Sequence, residues 1–240
     1  MHGLAISTFM RNSPNLQERF GIFKRSLLSL YYSGYNGYLC LVDDGSEVDD
    51  HLVYANALFG NRINIIKSPE NRGIARTKNK CIKAILDAGC DIGFLADDDI
   101  QYYKGFNAAY SRKIESTKIP HFSYYIDNKA STVNMYGIDY IRQTPALNGC
   151  FITFTKQLIE DIGYFKIFPN KYGHEHSNFT YRAIHHGKIP YFCDICDSEK
   201  YIRLIDASDT IGSIEKNKSE IAENESMLLA NLDVIEEYSD

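Results

Sequence analysis

Short apolar segments alternate with amphipathic segments through the first half of the chain. The apolar segments have the length of strands and lie at residues 4–9, 38–42, 62–68 and 91–96. In the segments between them, apolar residues recur every three or four positions, which is the spacing of a helix that buries one face. Strands that are apolar throughout are buried on both faces, and a parallel sheet covered by helices provides that burial. We therefore predict an α/β fold with a mainly parallel central sheet flanked by helices.

The second half of the chain has a less regular pattern. We predict strands at residues 121–127, 147–155 and 188–195, and helices at residues 156–163 and 178–187. Beyond residue 212 the chain is charged, with scattered apolar residues, and this pattern indicates a terminal helix or a tail.

Composition narrows the classes of protein that the chain can belong to. A chain of 240 residues can bury roughly 70–75% of its unfolded surface, so it needs no disulfide or metal for stability. The six cysteines mostly lie within apolar segments, and we interpret them as reduced core thiols. The net charge of −5 argues against a protein that coats nucleic acid, because such proteins are usually basic.

The sequence also bears on location. The N-terminal segment has no basic stretch followed by a long apolar core, so we do not expect a signal peptide. No apolar run approaches the roughly 20 residues that span a bilayer. We therefore expect a cytoplasmic protein without a transmembrane segment, which leaves peripheral association with a membrane open.

Acidic clusters follow two of the predicted strands. Asp43-Asp44 comes after the second strand, and Asp97-Asp98-Asp99 comes after the fourth. The carboxyl ends of parallel strands share one edge of the sheet, and ligands bind at that edge in open α/β folds. Three basic residues, Arg11, Arg72 and Arg76, fall at the same edge. Adjacent carboxylates repel each other by about a kcal/mol or more, and a bound cation would relieve this, as would a solvated turn.

Five motifs together resemble those of a known family. They are, in order, LAISTFMRN, YLCLVDDGS, NRGIARTKN, FLADDDI and GHEHSNFTYR. Over residues 4–195 the chain resembles the GT-A glycosyltransferases, in particular the inverting family two. The resemblance implies one α/β domain with a nucleotide-sugar-binding half (1–120), an acceptor-binding and catalytic half (121–200) and a C-terminal helical tail (201–240).

The resemblance also implies an activity and a cofactor. Such enzymes transfer a sugar from a nucleotide-sugar, which we expect to be UDP-linked, to a hydroxyl of a glycan or lipid-linked acceptor. They usually use Mn²⁺ or Mg²⁺, hard cations that prefer carboxylate oxygens. In the family, an early aspartate of the acidic motif contacts the ribose and a later one binds the metal. We accordingly assign Asp97 to the nucleotide, and either Asp98 or Asp99 to the metal.

Further residues are assigned to the nucleotide. Asp43 or Asp44 would accept a hydrogen bond from the uracil ring N–H, and Thr8 and Arg11 would flank the same base. Arg76, at the start of the helix after the third strand, would approach the nucleotide or its pyrophosphate.

The family's second signature reads approximately E-D-x-D-L-x-x-R, and the corresponding residues here run from Glu175 to Arg182. Glu175, the apolar residue Phe179 and Arg182 agree with it, whereas His176 and Asn178 replace the two aspartates. The first of those aspartates is commonly the general base. His176 could take that role, since imidazole is a competent base near neutral pH. Glu175 is the carboxylate alternative, and contact of His176 with the metal or diphosphate is a third possibility.

Two other functions are compatible with the pattern. A sugar-phosphate nucleotidyltransferase also combines a parallel sheet with acidic metal ligands, but it normally has a glycine-rich loop after the first strand, and STFMRNSPN lacks those glycines. A non-catalytic module that binds a nucleotide or a glycan would account for the replaced aspartates.

Overall fold

The computed structural model describes residues 1–125, 133–136, 139–145, 148–205 and 217–239. Its strands are β1 (His2–Thr8), β2 (Tyr38–Asp43), β3 (Asn64–Lys67), β4 (Ile92–Asp97), β5 (Ile100–Tyr102), β6 (Val133–Tyr136), β7 (Asp139–Gln143), β8 (Phe151–Thr155), β9 (Cys193–Ile195) and β10 (Ile202–Leu204). Its helices are α1 (Leu16–Ser33), α2 (Asp50–Phe59), α3 (Ile74–Asp87), α4 (Phe106–Thr117), α5 (Lys156–Ile162), α6 (Glu175–His185) and α7 (Lys218–Glu225).

Five strands form the central sheet, in the order β3-β2-β1-β4-β8. The first four are parallel and β8 is antiparallel to β4. The predicted α/β fold with a mainly parallel sheet is confirmed. The register pairs Thr8 with Asp43 and Ser7 with Asp97. The carboxyl ends of β1, β2 and β4 therefore lie side by side, so their two acidic clusters share one edge.

Apolar side chains from the sheet and its helices form one continuous core. On α1, Phe23, Leu27 and Leu30 recur at helical spacing and are almost fully buried. Each such side chain contributes about 1.5–3 kcal/mol relative to an exposed one. The helix stops at Gly34, which adopts the left-handed conformation (φ 75°) that glycine accepts without strain.

At Gly93 of β4 there is no space for a side chain. A Cβ atom on Gly93 would lie 2.1 Å from the Cζ atom of Phe154 on β8. Glycine at this position therefore lets the antiparallel strand pack closely against β4.

Three predicted elements of the second half differ from the structure. Residues 121–125 form no strand beyond an isolated bridge between Ser123 and Ile152, and residues 126–127 lie outside the described residues. The predicted strand at residues 188–195 shortens to β9, which pairs with β7 in a small antiparallel sheet. Residue 147, at the start of another predicted strand, is also outside the described residues, and β8 begins at Phe151.

The helix predicted at residues 178–187 begins earlier, at Glu175. Gly173 (φ 103°) and His174 (φ 68°) turn the chain immediately before α6, so the helix starts three residues sooner than the pattern indicates. After α7 the chain returns to the body of the fold, where Glu236 bridges to Gly163. Within the described part of the chain, none of the helices is long and apolar enough to cross a bilayer.

Candidate active site

The three aspartates at the carboxyl end of β4 have different surroundings. Asp98 accepts hydrogen bonds from Thr8 Oγ1 at 2.6 Å and from Arg19 Nη2 at 2.9 Å, so both of its oxygens have partners. Asp99 is 8% exposed, and its Oδ1 has no hydrogen-bond partner among the described residues. Burial raises the pKa of Asp99 well above its usual range, and the negative charges of Asp97 and Asp98 raise it further. Asp99 is therefore a carboxylate that a cation would stabilise.

Lys78 holds Asp97 in place. Its fully buried ammonium group lies 2.8 Å from Asp97 Oδ1 and donates to the carbonyl of Gly149 at 2.8 Å. Ser7 Oγ donates to the same aspartate at 3.2 Å. The side chain of Asp97 stays 32% exposed, so it is available to a ligand at this edge of the sheet.

Buried Glu175 and partly buried His176 form a pair at the start of α6. His176 Nδ1 lies 2.9 Å from Glu175 Oε1. Burial alone would raise the pKa of Glu175, but the neighbouring charge and hydrogen bond of His176 outweigh it and, with Lys78, lower that pKa to about 2. Glu175 is therefore ionised at neutral pH. His176 Nε2 is buried without a hydrogen-bond partner among the described residues.

Gly149 lets this pair approach the strand-end aspartates. A Cβ atom on Gly149 would lie 2.3 Å from His176 Nδ1, so no larger residue fits against the imidazole. The carbonyl of Gly149 binds Lys78, which in turn binds Asp97. The structure thus joins the acidic triplet and the second signature, which are far apart in sequence, through one lysine and one glycine.

The two aspartates at the carboxyl end of β2 bind neighbouring residues of the same edge. Asp43 is fully buried and accepts hydrogen bonds from His51 Nε2 and from the hydroxyl and amide of Ser46. Burial alone would raise its pKa, but these hydrogen bonds hold the pKa below its usual value. Asp44 accepts from the backbone amides of Arg72 and Gly73, at 3.0 and 2.9 Å. Burial raises the pKa of Asp44 despite these bonds.

A pocket of about 280 Å³ lies between the start of α3 and the loop that precedes α6. Arg72, Arg76 and Glu175 are among its lining residues. Arg76 Nη1 also donates to Ser239 Oγ at 3.2 Å, so Ser239 lies beside the pocket. Arg11 is exposed, with its guanidinium 5.4 Å from the ring of Phe9, and no described contact joins it to the other predicted residues.

The donor set fits a hard cation that also binds substrate. No group of three or more histidine, cysteine, aspartate or glutamate side chains within the described ranges could enclose a metal ion. Mg²⁺ and similar cations are commonly held by one or two carboxylates, with substrate phosphates and water completing the shell. The unpartnered oxygen of Asp99 is consistent with such a site.

Two positively charged residues of the site, Lys78 and Arg19, were not predicted from the sequence. Lys78 precedes Cys81, Ile82 and Ile85 by three, four and seven residues, so it lies on the buried stripe of α3. A lysine on a buried stripe needs a buried partner, and this signal could have identified it. The contact of Arg19 with Asp98 spans 79 residues and has no local signal.

Comparison with known proteins identifies the family. A model of the family described as "Glycosyl transferase family 2" matches residues 6–182. The chain belongs to glycosyl transferase family 2. It is also 37% identical, over 98% of its length, to "Uncharacterized glycosyltransferase R363" of Acanthamoeba polyphaga mimivirus, 93% of which is covered. The resemblance noted from the sequence motifs is confirmed, and the protein is a glycosyltransferase.

Solved structures share the fold of this family 2 member. S. aureus TarS 1–349 in complex with UDP has a TM-score of 0.61 and 14% identity, and the match covers 89% of this chain and 62% of that one. The mannosyltransferase PcManGT from Pyrobaculum calidifontis, in complex with GDP-Man and Mn²⁺, has a TM-score of 0.59 and 15% identity over 96% of this chain and 70% of that one. The chain therefore spans about three fifths of the matched TarS chain.

Proposed function

We propose that this family 2 enzyme transfers one sugar from a UDP-linked donor to a hydroxyl of a glycan or lipid-linked acceptor, with a divalent cation and with inversion at the anomeric carbon. The observation that carries the proposal is the connection of Asp97 to the Glu175–His176 pair through Lys78 and Gly149. This connection supports one site that contains both the residue we assign to the donor and a candidate base. Structural neighbours solved with UDP, UDP-GlcNAc and GDP-Man with Mn²⁺ support a nucleotide-sugar donor.

Asp97 and Asp99 take different roles in binding the donor. Asp97, partly exposed and fixed by Lys78, binds the ribose hydroxyls. Asp99 holds the cation, because it has an unpartnered oxygen whereas Asp98 is occupied by Thr8 and Arg19. When bound, Mn²⁺ or Mg²⁺ would stabilise the negative charge of the departing diphosphate.

His176 acts as the general base and Glu175 orients it. Glu175 is poorly suited to remove a hydroxyl proton, because its Oε1 is already engaged by His176 Nδ1 at 2.9 Å. It is well suited to accept the hydrogen bond of Nδ1–H, which leaves the lone pair of Nε2 to take the proton. The imidazole thus receives the acceptor's proton as the hydroxyl oxygen bonds to the anomeric carbon and the bond from that carbon to the UDP oxygen breaks, with UDP as the leaving group.

The test measures UDP release from UDP-sugars, with and without Mn²⁺, across a panel of glycan and lipid-linked acceptors. We expect release that needs both Mn²⁺ and one acceptor class, and a product of inverted anomeric configuration by NMR. His176→Ala should lower kcat by roughly 10²–10⁴-fold, the usual contribution of a general base. His185→Ala, an exposed histidine of the same helix, is the matched control.

Three outcomes would contradict the proposal. A preference for GDP-linked donors would overturn the donor assignment, and full activity of His176→Ala would overturn the base. Tight binding of Mn·UDP without transfer to any acceptor would favour a non-catalytic binding module.

A further inference from the structure

The loop between α5 and α6 forms one wall of the pocket. Residues 167–171 line the cavity, and the loop leads directly into Glu175. It contains no helix or strand, so its shape depends on what its backbone groups bind. Near its start, Asn79 of α3 accepts from the amide of Phe165 at 2.8 Å and donates to its carbonyl at 3.0 Å.

Asn224 of α7 holds the other end of this loop. Its side chain is fully buried, and its Nδ2 lies within hydrogen-bond distance of the carbonyls of Tyr172 (3.0 Å), Gly173 (3.2 Å) and Asn170 (3.4 Å). An amide group has two hydrogens, so one of them is shared between two carbonyls. A single side chain therefore draws three carbonyl oxygens together, and these would repel one another without a donor between them.

Other contacts attach the same part of the C-terminal segment to the loop. Asn170 Nδ2 donates to Glu223 Oε2 at 2.7 Å. A Cβ atom on Gly173 would lie 2.8 Å from Ile221 Cγ1, so α7 packs directly against the turn that starts α6. Lys171 Nζ donates to the carbonyl of Asn71, which connects the loop to the segment before α3. The loop is thus fixed between α7 and the segment that precedes α3.

We infer that Asn224 is a positioning residue for transfer: it fixes the loop at residues 170–173 and thereby sets the position of the Glu175–His176 pair relative to the aspartates at the end of β4. The inference rests on the function proposed above. Gly173 lies two residues before Glu175, so a shift of its carbonyl moves the start of α6 and the pair with it. The groups assigned to the donor, Asp97 and Asp99, stand at the end of β4 and in the turn that follows it, whereas the described hydrogen bonds of the Asn224 side chain are to residues 170–173.

The variant that tests this inference is Asn224→Asp. It keeps the shape of the side chain but replaces the amide N–H donor by a carboxylate oxygen, which the three carbonyl oxygens repel. We expect kcat for transfer to fall roughly 10–100-fold, the effect of misplacing a catalytic group by about an ångström. The Kd for Mn·UDP should stay within about twofold, because misplacement changes orientation and not the donor contacts. Asn231→Asp makes the same change at an exposed position of the same segment and should leave both quantities unchanged.

A second measurement does not depend on activity. Trypsin should cleave after Lys166 and Lys171 faster in Asn224→Asp than in wild type, since the loop has lost its anchor. Asn224→Ala removes the donor without adding charge and should change kcat and cleavage in the same direction. If circular dichroism shows that Asn224→Asp is unfolded, Asn224→Ala is used in its place.

The outcomes separate this inference from the proposed function. If the wild type neither binds Mn·UDP nor transfers a sugar, the proposed function fails, whereas faster cleavage of the variants would still support the anchor. If the wild type is active and both Asn224 variants match it in kcat and cleavage rate, the inference is wrong. A loss of kcat and of Mn·UDP binding in equal proportion, matching the unfolded fraction, would also overturn it.

Discussion

Replacement of Lys78 by methionine tests the connection between the two halves of the site. The variant keeps the length and the apolar stem of the side chain but removes the ammonium group. Asp97 then loses its buried partner, and the Gly149 carbonyl loses its donor. Glu175 also loses one of the charges that lower its pKa.

The expected loss in the free energy of unfolding depends on how deeply the Lys78–Asp97 ion pair is buried. Removing one partner of a fully buried ion pair costs about 3–5 kcal/mol, because an uncompensated charge remains. The side chain of Asp97 is 32% exposed, so water replaces part of the lost interaction. We therefore expect a loss of about 2–3 kcal/mol in the free energy of unfolding, below the fully buried range. For a chain of this size the loss corresponds to a fall in Tm of about 4–12 °C.

The assay is urea denaturation with thermal melting as a second readout, together with kcat for UDP release. Lys83→Met is the matched control, because Lys83 lies on the same helix and pairs with Asp87 at the surface. We expect the control to match wild type in stability and turnover, and Lys78→Met to lose both. Equal stability of the two variants would refute the conclusion that Lys78 joins the halves of the site.

Three further predictions concern single side chains. Asp99→Asn should remove the Mn²⁺-dependent part of UDP affinity, measured by calorimetry with and without a chelator. Asp98→Asn should chiefly lower Tm, because the charge that binds Thr8 and Arg19 is lost; equal metal dependence of UDP affinity in the two variants would contradict this division. Asp44→Asn should lower the affinity for UDP more than the affinity for pyrophosphate, because the Asp44 carboxylate is assigned to the base. Equal losses of affinity for the two ligands would show that Asp44 does not contact the base. Asn178→Asp should lower the free energy of unfolding by about 1–3 kcal/mol, because the Leu228 carbonyl loses its donor; a variant as stable as wild type in urea would refute this.

The first half of the fold was predictable because its signals are local. Strands β1, β2 and β4 of the parallel sheet are largely apolar segments, and helix α1 carries its own apolar stripe and a stop signal at Gly34. The position of the acidic clusters also followed, since parallel strands must end at one edge. These inferences need no knowledge of which strand pairs with which.

The second half depends on pairing between distant residues, which the local pattern does not specify. Residues 121–125 have a strand-like composition, but their backbone groups bind alternately to β9 and β8: Ser123 N donates to Cys193 O, and Tyr124 N donates to Phe151 O. The segment therefore lies between two strands without joining either as a continuous ladder. The contacts among the predicted site residues could not be predicted for the same reason. The contact of Lys78 with Gly149, for example, joins residues that are 71 positions apart in the sequence.

The two departures from the family's second signature have a common structural basis. Asn178 Oδ1 accepts from Arg182 Nε at 3.0 Å while its Nδ2 donates to the carbonyl of Leu228 at 2.8 Å. An aspartate could accept from the arginine but could not donate to the carbonyl. Similarly, His176 donates a hydrogen bond to buried Glu175, where an aspartate would add a second negative charge. Each replacement supplies a hydrogen-bond donor that the family's carboxylate lacks, and together they allow the C-terminal segment to pack against α6 while an ionised glutamate is kept at its start.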